Sequence, residues 1–135
     1  MGIVIDTSAI IELERARASW DAILERAGED PVFLPAIVWG ELMAGVHLAD
    51  SVQRALKRRE NLDRLRKAVP ILPFSAEIGE VWAELFAELQ RAGTPVPAND
   101  LCVAATAVAL HHRVLVSSVD EAHFRRVPGA EVIML

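Results

Sequence analysis

Short runs of consecutive apolar residues alternate along the chain with longer stretches whose apolar positions recur every three or four residues. The first kind, too short for helices and rich in Ile and Val, is the pattern of strands buried on both faces of a parallel sheet. "IVID", "VFLP", "VPILPF", "VLVS" and "EVIML" are the five candidates. The prolines of "VPILPF" lie towards its ends, where a missing amide is tolerated.

The second kind predicts helices between these strands. One begins near Ser8, and another covers "SWDAILERA" up to Gly28 and the "GEDP" turn. Ala36 to Leu48 follows, with Ile37, Glu41, Ala44 and Leu48 at helical spacing, although Gly40 and Gly45 weaken it. Ser51 to Ala68 is long and charged, with Val52, Leu56, Leu62 and Leu65 as its apolar positions. From Ser75 to Arg91, the residues Ile78, Val81, Trp82, Leu85, Phe86 and Leu89 form a stripe to be buried. "AGTPVPAN" breaks the chain before a last long helix, capped by Asn99 or Asp100 and reaching about His111. Apolar strands separated by helices specify an α/β domain around a parallel sheet. With 135 residues, no repeat and no internal linker, one domain over 1–135 is expected.

Composition narrows the setting. One cysteine, Cys102, precludes an internal disulfide and suits a reducing compartment; it reads as a small core residue. The apolar start carries no positive leader and meets Asp6 too soon for a signal peptide. No stretch reaches the ~18 uncharged apolar residues of a membrane span. A cytoplasmic protein without membrane association is the expectation. A net charge of −5 argues against binding nucleic acid by bulk electrostatics. The local exception is "RALKRRENLDRLRK". Its interleaved signs read first as a solvated helix face, and second as an edge for nucleic acid or a partner.

The chemistry lies in four acids. Asp6 ends the first buried run, Asp120 follows "VLVS", Asp100 opens the preceding helix, and Glu41 sits inside the apolar "AIVWGELMAG". Ligands of an open parallel sheet bind outside the carboxyl ends of its strands, so all four can face one edge. Each aspartate taken singly can instead be a helix cap. Glu41 has no such role, and an acid in an apolar setting must be paired, protonated or metal-bound. Clustered carboxylates repel, and oxygen-only donors point to Mg²⁺ or Mn²⁺ over Zn²⁺. His111 and His112 read as helix-end residues complementing the dipole, and His123 as a surface residue in a turn after Asp120. Aspartyl-phosphate chemistry needs a cation at the strand ends, yet Lys57 and Lys67, the only lysines, both lie in the charged helix. No glycine-rich phosphate cradle with its lysine is present.

Together "VIDTSAII", "ELMAG", "NDLCVAATAVALHHRVLVSSVDEAHF" and the "VPGAEVI" tail resemble the PIN-domain ribonucleases, specifically the VapC-type toxins of toxin–antitoxin modules. The resemblance implies a three-layer α/β/α sandwich with a short, mainly parallel central sheet. It implies a Mg²⁺-dependent (or Mn²⁺-dependent) endoribonuclease whose catalytic and metal-holding acids fall on Asp6, Glu41, Asp100 and Asp120. Thr7 and Ser8 match the turn that steadies the first carboxylate, Asn99 the polar residue before the third acid, and Ser118 the hydroxyl residue two before the fourth. It further implies a tRNA or other translation-related RNA as substrate, a cognate VapB-like antitoxin, a homodimer, and a heterotetramer or larger complex with that antitoxin. The alternative is a PIN-like RNA- or protein-binding domain without nuclease activity.

Overall fold

The computed structural model, which describes residues 1–135, centres on five parallel strands. These are β1 (Ile3–Ile5), β2 (Val32–Pro35), β3 (Ile71–Leu72), β4 (Arg113–Val116) and β5 (Glu131–Met134), in the order β3-β2-β1-β4-β5. The helices are α1 (Thr7–Arg15), α2 (Asp21–Ala27), α3 (Ala36–His47), α4 (Val52–Ala68), α5 (Ala76–Ala92), α6 (Ala98–Leu110) and α7 (Glu121–Arg125). The expected α/β sandwich is formed, and all five predicted strands are present.

The strand order decides where a ligand can sit. From β1 the chain steps outward to β2 and β3, then returns through α5 and α6 to place β4 on the other side of β1. Connections leave β1 and β4 in opposite directions, which opens a crevice at their carboxyl ends. Both strands are central, β1 buried throughout and β4 from Val114 to Val116, with Ile5 paired to Leu115. The ladder continues one step past β1, where the Asp6 amide donates to the Leu115 carbonyl at 2.9 Å. Asp6 is therefore fixed by main chain on the most rigid part of the sheet.

The start of β1 is anchored as firmly. His112 lies beyond the end of α6, and its Nδ1 accepts from the Gly2 amide at 3.0 Å while its ring stacks on Phe33 at 5.2 Å. A Cβ at position 2 would lie 2.9 Å from the Phe33 ring, so this close approach requires glycine. His111 ends the helix in the left-handed conformation, φ 56°. The expected dipole role for the two histidines gives way to a turn residue and a strand anchor.

Two other expectations change. Pro97 precedes α6 as its cap and offers no side-chain hydrogen bond, so neither Asn99 nor Asp100 caps the helix; both lie in its first turn. In α4 only Leu62 and Leu65 are buried, while Val52 and Leu56 remain exposed. Likewise the α5 stripe buries Ile78, Leu85 and Leu89 but leaves Phe86 exposed and stacked on Trp82 at 5.0 Å. A stripe read at 100° per residue is wider than the face that its neighbours cover.

Candidate active site

Asp6 is 1% exposed and carries the N-cap of α1, its Oδ2 accepting from the Ser8 amide at 3.0 Å. One carboxylate thus ends the strand and starts the helix. Burial pushes its pKa up to about 6; the Ser8 hydrogen bonds oppose that shift, and the charges of Asp100 and Asp120 add to it. The proximity of three acids is written into that shift.

Thr7 and Ser8 reach to either side. The Thr7 hydroxyl donates to Glu41 Oε1 at 2.7 Å, fixing the glutamate of α3 beside the end of β1. Ser8 Oγ accepts from the Ser117 amide at 3.0 Å, tying α1 to the residue that follows β4. Ser117 is itself buried, and its hydroxyl accepts from Val119 at 3.3 Å, which turns the chain towards Asp120. The two strand ends are therefore stitched together by hydroxyls.

Asp100 projects from the first turn of α6, where the helix N-terminus favours a carboxylate. Burial raises its pKa, the hydrogen bond from His123 opposes this, and repulsion from Asp120 and Glu41 adds to it. His123 Nδ1 lies 2.7 Å from Asp100 Oδ2 and 3.9 Å from Asp120 Oδ1. Asp100, Asp120 and His123 each present a ligand atom within 4.8 Å of the others. A cleft of about 370 Å³ opens over the strand ends, lined by Thr7, Ser8, Glu41, Asp100, Ser117 and Asp120 together with Ile11, Glu12, Arg15 and Val119. Arg15 is the one cation in that wall.

Placed against the sequence reading, the four acids come together as expected, with Asp6 buried and the other three on the cleft wall. Thr7 orients Glu41 and Ser8 holds Asp6. Asn99 and Ser118 are exposed and lie outside the cleft lining, where Ser117 supplies the inward hydroxyl. The chain leaves β4 at Val116: Ser117 directly after it is still buried, while Ser118 lies in the exposed turn that leads to α7. His123 is not a surface turn residue but a half-buried member of α7, three residues after Asp120 and hence on the same helical face. That i, i+3 relation was the signal available in the sequence. The donor chemistry suits a hard divalent cation: a carboxylate cluster in which burial and mutual repulsion raise two pKa values, with no arginine or lysine bonded to it.

The comparisons with known proteins agree with this geometry. The PIN domain family matches residues 3–130. A "Ribonuclease VapC" of Rickettsia bellii is 31% identical, over 98% of this chain and 96% of the relative. "Ribonuclease VapC4" of Mycobacterium tuberculosis is 32% identical, over 96% and 94% respectively. Among solved structures, that of VapBC2 from Rickettsia felis bound to a promoter DNA fragment superposes with a TM-score of 0.87 at 22% identity, covering 100% of this chain and 99% of that one. A parallel sheet in this order, acids gathered at its switch point and relatives matching end to end have one reading: the chain belongs to the PIN-domain family, among the VapC ribonucleases.

Proposed function

We propose that the protein is a divalent-metal-dependent endoribonuclease toxin that hydrolyses a tRNA or another translation-related RNA and is held inactive by a VapB-like antitoxin. The observation that carries this reading is the convergence of Asp6, Glu41, Asp100 and Asp120 on the crevice between β1 and β4. A divalent cation such as Mg²⁺ or Mn²⁺, held there by these acids, would supply a water of lowered pKa and offset charge on the phosphate oxygens. Asp6 and Asp100 are the principal holders, with Glu41 and Asp120 completing the set.

The remaining work falls to the protein's own groups. Thr7 fixes the Glu41 carboxylate, and Ser8 holds the two strand ends in register. Asp6 sits on main-chain hydrogen bonds and cannot swing, so the acids are preorganised before substrate arrives. The acidic wall repels a polyanion, which favours recognition of one folded RNA over general single-strand degradation. A cytoplasmic site of action suits such a substrate.

The antitoxin assignment is supported by structural neighbours that are VapBC complexes, including the Rickettsia felis one. A toxin homodimer assembled with antitoxin into a heterotetramer or larger complex fits this reading, with the whole chain acting as a single domain. The test is purification free of antitoxin, followed by sequencing of RNA 5′ ends with and without Mn²⁺. Discrete metal-dependent ends bearing 5′-phosphates are expected. Intact RNA under every metal condition would contradict the reading.

A further inference from the structure

We propose that His123 is a positioning residue of the acid cleft: it holds the Asp100 carboxylate in its working orientation from the neighbouring helix. This rests on the nuclease reading above.

The geometry is specific. With Asp100 ionised the carboxylate only accepts, and the 2.7 Å contact then places the proton on His123 Nδ1, donated to Asp100 Oδ2. That bond occupies one oxygen of Asp100 and leaves Oδ1 without a protein donor. Asp120 Oδ1 lies 3.9 Å from the same nitrogen, so one ring is set between two acids that come from different elements. Without it, two side chains that repel each other would be free to turn apart.

The ring is held in its turn by the fold. Phe124, its neighbour in α7, is completely buried, and Val127 just beyond the helix is 3% exposed. These anchors seat a helix of only five residues against α6 and β5. Asp120 begins α7 without making a side-chain cap bond, so its carboxylate remains available to the cleft. A helix this short, buried at its middle and bearing an acid at its start and an imidazole one turn on, acts as a clamp for Asp100.

The experiment compares the full-length wild type with His123→Phe, which keeps a ring but no donor, and His123→Asn, which keeps a donor near the Nδ1 position but no ring. Mn²⁺ affinity is read by calorimetry, metal-free unfolding midpoints by circular dichroism, and RNA cleavage under saturating Mn²⁺. His123→Phe is expected to bind Mn²⁺ ~10–100-fold more weakly, the usual cost of removing a group that orients a metal ligand. His123→Asn is expected to recover most of that affinity, and the unfolding midpoints to track packing without following the metal data. Equal Mn²⁺ affinity in all three proteins would overturn the role of His123 while leaving the nuclease reading intact. Weak binding in both variants would overturn it as well, by making the imidazole itself a ligand. A wild type that binds no Mn²⁺ would overturn the nuclease reading and this one together.

Discussion

Asp6 sets the terms at the scale of a residue. Its folded pKa of about 6 lies above its ordinary value of 3.8, so the folded chain holds that proton more tightly than the unfolded one. The contribution of Asp6 to stability is therefore fully present below pH ~4 and is lost as pH rises through 6, by about 3 kcal/mol in total. Asp6→Asn keeps an acceptor for the Ser8 amide but removes the charge. In metal-free buffer near pH 7 it is expected to unfold at higher denaturant than the wild type, while losing cleavage. Urea melts across pH 4–7 check this, and a wild-type profile parallel to that of the variant would contradict it. Thr7 provides a second case. Thr7→Ser retains the hydroxyl that orients Glu41 and should cleave normally, whereas Thr7→Val should lose activity ~10-fold or more with its fold intact. Initial rates at saturating Mn²⁺ separate the two variants.

At the scale of elements, the strands were legible because apolar runs of this length have few other uses. "IVID" and "VLVS" announced themselves, and the acids at their ends followed from the rule for parallel sheets. What the sequence left hidden were contacts between segments distant along the chain. Ser8 meets Ser117 across 109 positions, and His123 meets Asp100 across 23 and between two helices. Ser118 had the better motif position, but the chain turns into solvent one residue after Ser117, so Ser117 carries the buried hydroxyl. His112 looked like a helix end and proved to be the anchor of β1. Helix spacing overstated burial for Val52, Leu56 and Phe86, because periodicity reports a face and not what covers it. The Ser8–Ser117 link gives the test at this scale. Ser8→Ala leaves a buried amide without its acceptor and should cost about 1–3 kcal/mol, read as a lowered urea midpoint with an unchanged slope. An unchanged midpoint would mean that water or a shifted main chain satisfies Ser117.

For the whole molecule the question is how a chain of net charge −5 engages RNA. The basic helix read from the sequence divides once its side chains are placed. Arg59 pairs with Asp63 at 3.1 Å in solvent. Arg58 donates to the Gly45 carbonyl at 2.6 Å, lies 4.0 Å from Glu14, and lines a cleft that shares Ile11, Arg15 and Glu41 with the acid cleft. Arg58→Gln is therefore expected to weaken RNA binding and lower the salt dependence by about one phosphate contact, with Arg59→Gln close to wild type. Affinities over a salt series check this, on samples of verified oligomeric mass so that a lost dimer is not mistaken for a lost contact. Equal slopes for the two variants would leave α4 as a solvated face.

The central claim is that the gathered acids form one metal-dependent centre for cutting RNA, and Asp100 is the residue that joins the sheet's switch point to the α6–α7 corner. The direct measurement is the appearance of RNA 5′ ends as Mn²⁺ is titrated into antitoxin-free protein, wild type beside Asp100→Asn, with both shown to be folded. The account expects site-specific ends that rise with Mn²⁺ in the wild type and are absent from the variant. Cleavage by a folded Asp100→Asn protein at the wild-type rate, or wild-type cleavage indifferent to the metal, would contradict it.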